Sequence, residues 1–246
     1  MTIDTMRWHE AVNIHYDHDF RRQSLVQLAK RYVCGPRVLD MRCITGTLAV
    51  ELAVAGMEVT ALDAYLGAVE KTNTLARNRG IAAPIAHHWD LTRLVEQVGV
   101  GCFDTVVCLD VLNHVDDDEA TMSDIAQVLR SGARLILNVP AFPALLGKRD
   151  QSLGHLRRYT RSSLRGLLTR HGFEVETMRY WNFTALPMYA FIERGLRAEI
   201  SDGFRFGSTG WMGSSFNRVL TWWYMAVENR CLFPIGLSLF VIARKP

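Results

Sequence analysis

The sequence predicts an α/β fold: a mostly parallel sheet carrying helices on both faces. Three observations predict it. Short aliphatic runs alternate with helix-length segments from Arg37 to Val139, the spacing of βαβ units. The run Val106-Val107-Cys108-Leu109 is apolar without in–out alternation, as in a strand covered on both faces. Gly56, Asp63, Gly80 and Pro140 close segments where this scheme needs a stop.

Residues 1–15 show no clear period and read as an arm. Asp17 to Tyr32 reads as an amphipathic helix with Leu25, Leu28 and Ala29 on one face, broken by Cys34-Gly35-Pro36. A first strand, Arg37 to Met41, leads through a loop to a helix over Leu48 to Ala55. Val59 to Leu62 is a second strand closed by Asp63, and Leu66 to Asn78 a helix. Ile85-Ala86 is a third strand ending near Asp90, and Thr105 to Leu109 a fourth. Asp118 to Leu129 is a helix, and Ser131-Gly132 turns the chain into a fifth strand, Arg134 to Val139. A helix over Arg161 to His171 and a strand over Phe173 to Arg179 follow. Two helices, near Leu186 to Ala198 and Phe216 to Arg230, flank a Gly/Ser-rich link, Ser201 to Ser215, and Leu237 to Ala243 is the last strand. This divides the chain into an arm and helix (1–35), a core (36–181), a helical lid (182–234) and a final core strand (235–246).

The bulk composition narrows the function classes. A net charge of +3 without a basic run argues against nucleic acid as partner. Cys34, Cys43, Cys102, Cys108 and Cys231 are odd in number and lack C-x-x-C spacing, as expected of reduced thiols in a cytoplasmic protein. Asp4, His9 and Glu10 stand where an export signal would need a basic start and an apolar core. Val219 to Val227 is too short, and too charged at its ends, to span a bilayer. His87-His88 has no further ligands at metal spacing, so no metal is expected.

Ligands bind parallel sheets at the carboxyl ends of the strands, where strand order reverses, so the loops after Met41, Leu62, Leu109 and Val139 are the ones to watch. Backbone amides at a helix start attract negative groups, and Asp40, Arg42 and Gly46 surround the first such loop. Asp40 either orients this loop through its amides or caps the helix start. Asp63 either accepts the hydroxyls of a ribose or caps the helix from Leu66. Asp90 either takes the amino group of an adenine or acts as an N-cap.

These positions resemble the class I S-adenosylmethionine-dependent methyltransferases, whose first motif is usually V-L-D-x-G-C-G-T-G. Phe103 to Val115, with Asp110, Asn113 and His114, is similar to the family's fourth strand and following loop, where Glu often stands in place of Asn113. Ile125 to Pro140 resembles its next helix and strand. Asp150-Gln151-Ser152-Leu153-Gly154-His155-Leu156-Arg157-Arg158-Tyr159 resembles a D-x-x-L-G-H-x-R-R-Y signature, and Gly172-Phe173-Glu174-Val175 a GFeV strand. The resemblance implies a Rossmann-like fold with a seven-stranded sheet and a helical insertion before the last strand. It also implies S-adenosylmethionine or S-adenosylhomocysteine as the bound nucleoside, with Asp40, Arg42, Gly46, Asp63, Asp90 and Asp110 around it.

The first motif departs from the family: Arg42 and Ile44 replace its first two glycines, and Gly46 remains. Glycine serves there because the backbone takes φ > 0 or passes close to the ligand. Arg42 either pairs with the methionine carboxylate or points to solvent, the usual state of arginine. His114, His155, Asp150 and Tyr159 are candidate proton-transfer groups. Alternatively His114 is structural, and Arg157 and Arg158 pair with acids to hold the loop closed.

The aromatic insertion reads as core, a lid over an apolar small molecule, a homodimer interface or an interfacial membrane contact. Three functions are open: methyl transfer to a polyketide- or lipid-like substrate, dehydration or cyclisation with S-adenosylmethionine bound but not consumed, and a non-catalytic partner subunit.

Overall fold

The structure, a computed structural model, describes residues 20–89, 93–191 and 218–246. The arm, Asp90, the Ser201 to Ser215 link and the adjoining helix ends fall outside these residues.

Seven strands form one sheet: β1 (Arg37–Met41), β2 (Glu58–Asp63), β3 (Ala86–His88), β4 (Phe103–Leu109), β5 (Leu129–Pro140), β6 (Glu174–Trp181) and β7 (Ser238–Arg244). Their order is β3-β2-β1-β4-β5-β7-β6. The first five pair in parallel, and β7 runs antiparallel to both neighbours. This is the Rossmann-like, mostly parallel seven-stranded sheet that the resemblance implies.

Helices α1 (Phe20–Lys30), α2 (Thr47–Val54), α3 (Leu66–Asn78), α4 (Leu94–Val98), α5 (Asp118–Val128), α6 (Lys148–Ser152), α7 (Arg161–Arg170) and α8 (Leu186–Ala190) connect the strands. Residues 218–223 are helical and continue into a π-helical turn, Tyr224–Glu228.

Alternation within the strands explains the two covered faces. Leu135, Leu137 and Val139 of β5 pack on one side with Met122 and Ile125 of α5 and Leu164 and Leu168 of α7. Ile136 points the other way and joins Leu25 and Leu28 of α1 and Leu48 and Leu52 of α2. All seven residues of β4 are buried, as its composition predicts. Fully burying a side chain such as Leu28 stabilises by about 1.5–3 kcal/mol.

The element boundaries hold with local corrections. β5 begins at Leu129, before the expected Ser131-Gly132 turn: Leu129 pairs with Phe103, and the register then shifts so that Arg134 pairs with Thr105. Helices α4 and α6 were not expected, because five residues are too few to show a helical period. Among the described residues, no helix is long and apolar enough to cross a membrane.

Candidate active site

Strand order reverses between β1 and β4, and a cavity opens at the carboxyl ends of these strands and β5. Arg42, Asp110, His114, Asn138, Asp150 and His155 line it, with Arg22 and Leu25 of α1 and Trp181, Tyr189 and Leu237 from the far side. Among the described residues, five non-glycine positions have left-handed backbone: Arg42, Ile44, Asp110, Phe142 and Asn182. Three of them, Arg42, Asp110 and Asn182, line this cavity. Such strain concentrates at functional sites.

The first loop keeps a glycine-type path without the glycines. Arg42 has φ 67°, Ile44 φ 54° and Gly46 φ 75°. A β-branched residue at such a φ is a genuine outlier. What holds it is visible. Arg42 N and Cys43 N donate to the Leu62 carbonyl oxygen at 2.7 and 3.0 Å, and Ile44 N donates to Asp63 Oδ2 at 2.9 Å. Gly46 meets a packing constraint as well: a Cβ there would lie 2.8 Å from the Cα of Thr72 on α3. Its position serves close contact with α3.

Arg42 does not point to solvent. Its Nη1 donates to the Asp110 carbonyl oxygen at 2.7 Å, and the side chain lines the cavity. Asp110 in turn accepts Asn138 Nδ2 at 2.8 Å. Asp63 is 2% exposed and does not cap α3; its second oxygen accepts Tyr65 N at 2.9 Å.

Asp40 neither orients the loop through its amides nor caps α2, whose N-cap is Gly46 and which has no side-chain cap. Both its carboxylate oxygens are buried without a hydrogen-bond partner. Burial, opposed by nearby Arg22 and reinforced by Asp63, pushes its pKa up to about 7. Arg22 Nη1 and Asn138 Oδ1 are likewise buried without a partner.

Three of the four proton-transfer candidates, His114, Asp150 and His155, come together. His155 Nδ1 lies 2.8 Å from Asp150 Oδ1, and the His155 ring meets His114 edge-on with centroids 4.8 Å apart. His114 Nδ1 lies 3.1 Å from the Gly154 carbonyl oxygen. That oxygen can only accept, so His114 carries its proton on Nδ1. Arg158 Nε and Nη2 grip the two oxygens of Asp150 at 2.9 Å each. Although burial alone would raise the Asp150 pKa, donation from His155 and Arg158 draws it down to about 2. Asp150 is therefore a permanent carboxylate, and it fixes the His155 proton on Nδ1, leaving Nε2 as the acceptor. Burial outweighs the pull of Asp150 and lowers the His155 pKa below the ordinary imidazole value, with Asp110 raising it and Arg42 lowering it further.

Tyr159 is placed elsewhere. It is 5% exposed, and its hydroxyl donates to Asp118 Oδ2 at 2.7 Å, where burial and that carboxylate hold its pKa above the ordinary phenol value. It ties the signature loop to α5, as Arg157 does through Asp118 Oδ1 at 2.7 Å.

Sequence reasoning missed Arg22 and Asn138 as cavity residues, while Trp181 and Tyr189, which also line the cavity, belong to the aromatic set read as a lid. Arg22 had a readable signal, since it falls three residues before Leu25 and seven before Ala29, a cation on the apolar stripe of α1.

The sheet is of the doubly wound type, with its cavity at the point where strand order reverses. A family described as a methyltransferase domain matches residues 14–178, and the chain belongs to that family, the S-adenosylmethionine-binding transferases. Curated relatives include the ubiquinone biosynthesis O-methyltransferases of Xanthomonas oryzae pv. oryzae, 30% identical over 112 residues, and of Xylella fastidiosa, 30% identical over 124. The first match covers 45% of each chain and the second 49%. The chain thus spans about half the length of the curated relatives it matches. Similar solved structures include the [4+2]-cyclase SpnF, with a TM-score of 0.57 at 18% identity over 92% of this chain and 81% of that one. A SAM-dependent methyltransferase from Archaeoglobus fulgidus has a TM-score of 0.58 at 17% identity, over 92% and 94%.

The cavity fits the zwitterionic methionine end of S-adenosylmethionine. Arg22 and Asn138 line it and carry a buried donor and a buried acceptor atom without partners.

Proposed function

We propose that this chain is an S-adenosylmethionine-dependent methyltransferase whose acceptor is a small molecule with an apolar body, of the polyketide or lipid kind. The observation that carries the proposal is the Asp150–His155 pair opening onto the same cavity as the first loop. Bound there, S-adenosylmethionine supplies an electrophilic methyl group. The protein's residues do the rest. Arg42, Asp40 and Asp110 hold the methionine end, Gly46 lets the loop approach, and Asp63 and Asp90 take the nucleoside. His155 Nε2 removes the acceptor's proton as general base, Asp150 holds the imidazole in the reactive tautomer, and His114 packs against it. Leu25, Leu153, Trp181 and Leu237 supply the apolar wall, and the insertion from 182 to 234 forms the lid.

A second reading has its own observation. Arg42 puts a fixed cation into the cavity from a left-handed position that glycine would occupy without strain. Such a charge, with a bound but unconsumed S-adenosylmethionine, would stabilise developing negative charge during dehydration or cyclisation. The fold neighbour SpnF bears the name of a cyclase, a likeness of fold.

One experiment separates the readings. The purified protein is titrated with S-adenosylmethionine and S-adenosylhomocysteine, and candidate acceptors are assayed for S-adenosylhomocysteine release. Methyl transfer predicts one S-adenosylhomocysteine per product. Conversion of an acceptor without it supports the second reading, and absence of binding defeats both.

A further inference from the structure

Among the described residues, Tyr189 of the insertion contacts the Asp150–His155 pair. Tyr189 stands on α8, the first helix of that insertion, and is 8% exposed. Its hydroxyl donates to Asp150 Oδ2 at 3.1 Å and accepts Arg158 Nη2 at 2.6 Å. The Arg158 guanidinium lies over its ring, 4.9 Å from the centroid.

Asp150 is therefore held by donors from several places. Gly147 N donates at 3.0 Å from the turn before α6, and Arg158 binds both oxygens from the signature loop. Arg158 also donates to the Ala141 carbonyl oxygen at 3.0 Å, anchoring the group to the end of β5. Tyr189 is the donor among these that comes from the insertion, and among the described residues the His155 imidazole completes the side-chain contacts of Asp150. A carboxylate shares its negative charge among its donors, so each one alters how strongly the others are bound.

We propose that Tyr189 is a positioning residue for His155: docking of α8 through the Tyr189 hydroxyl completes the donor set on Asp150 and so fixes the orientation and proton occupancy of the imidazole. The base is then fully formed only when the first helix of the insertion is seated. The inference rests on the reading of His155 as general base. The other ionisable groups facing His155 are Asp110 and His114 after β4 and Arg42 after β1. None of them belongs to the insertion, so altering Tyr189 leaves them in place.

The test is a pH titration of the His155 ring resonances by NMR, in the full chain, with no substrate required. Tyr189→Phe keeps the ring under Arg158 and removes only the hydroxyl. Asp150 then turns more of its charge toward His155, and the imidazolium is favoured. The expected result is an upward movement of the His155 midpoint by about half a pH unit, with the acidic limb of kcat/KM moving the same way and KM for S-adenosylmethionine unchanged. Incorporation of 3-fluorotyrosine at position 189 makes the hydroxyl a stronger donor and should move the midpoint down. It also serves as the independent check should the phenylalanine variant fail to fold. A His155 midpoint that stays fixed in the folded variants, or moves opposite to these signs, overturns the proposal. A midpoint that moves as expected in a protein that releases no S-adenosylhomocysteine upholds the positioning role and defeats methyl transfer instead.

Discussion

The amide of Ile44 donates to the carboxylate of Asp63 at 2.9 Å, and this bond joins the loop after β1 to the end of β2. With the Tyr65 amide on its other oxygen, the buried carboxylate holds Ile44 in a backbone conformation that a β-branched residue otherwise avoids.

Asp63→Ala should therefore cost about 2–4 kcal/mol, since two amides lose a charged acceptor in a buried setting. Asp63→Asn, which keeps an acceptor oxygen, should recover part of that. Urea denaturation of the three proteins without cofactor checks this, and equal midpoints would contradict the anchoring role.

Asp40 and Asp150 should shape the pH dependence of stability in separate windows. Asp40 has a folded pKa raised to about 7, so between about pH 4 and pH 7 the native state binds more protons than the unfolded chain. Stability should fall across that window as pH rises, by up to about 1.4 kcal/mol per unit. Asp150 has the opposite sign. Its depressed pKa, about 2, contributes stability that is present above about pH 4 and lost as pH falls toward 2. Asp40→Asn should flatten the upper window and melt above the wild type at about pH 8, as followed by calorimetry.

His155→Ala should lower kcat by about 10²- to 10⁴-fold, the usual contribution of a general base, with little change in S-adenosylmethionine binding. The acidic limb of the wild-type kcat/KM profile should lie below the ordinary imidazole pKa, because burial disfavours the charged ring. An unchanged kcat in the variant would assign proton transfer elsewhere, His114 first.

Arg42→Gly restores the family's residue at a left-handed position and removes the contact to the Asp110 carbonyl oxygen. Relief of strain and loss of that bond oppose each other, so stability should change by less than about 1 kcal/mol. If Arg42 holds the methionine carboxylate, S-adenosylmethionine affinity should fall about tenfold or more, the worth of a charge-assisted hydrogen bond. Calorimetric titration measures it, and undiminished affinity would remove Arg42 from cofactor binding.

Much of the sheet was legible because each strand carries its own signal. Arg37–Met41 and Leu66–Asn78 have the expected boundaries, and the buried run of β4 shows its two covered faces in composition alone. The candidate site was legible as a set of loops, and less so as contacts. Asp150 and His155 sit five residues apart in one short segment, while Tyr189 reaches Asp150 from 39 residues away. Tyr159, four residues past His155, turns instead to Asp118 on α5. No local pattern encodes which way these side chains turn, because that depends on which distant elements compete for their polar atoms.

The sequence by itself determined the alternation of strands and helices, the crevice side of the sheet and the unusual first loop, since periodicity, turn residues and an absent glycine are local properties. The tertiary structure alone decided what that loop does. Asp63, the Leu62 carbonyl and the close approach of Thr72 hold Arg42, Ile44 and Gly46 along a left-handed path and turn the Arg42 guanidinium into the cavity. Contacts from β2 and α3 override the backbone preferences of the residues themselves, and that is a property of the packed fold.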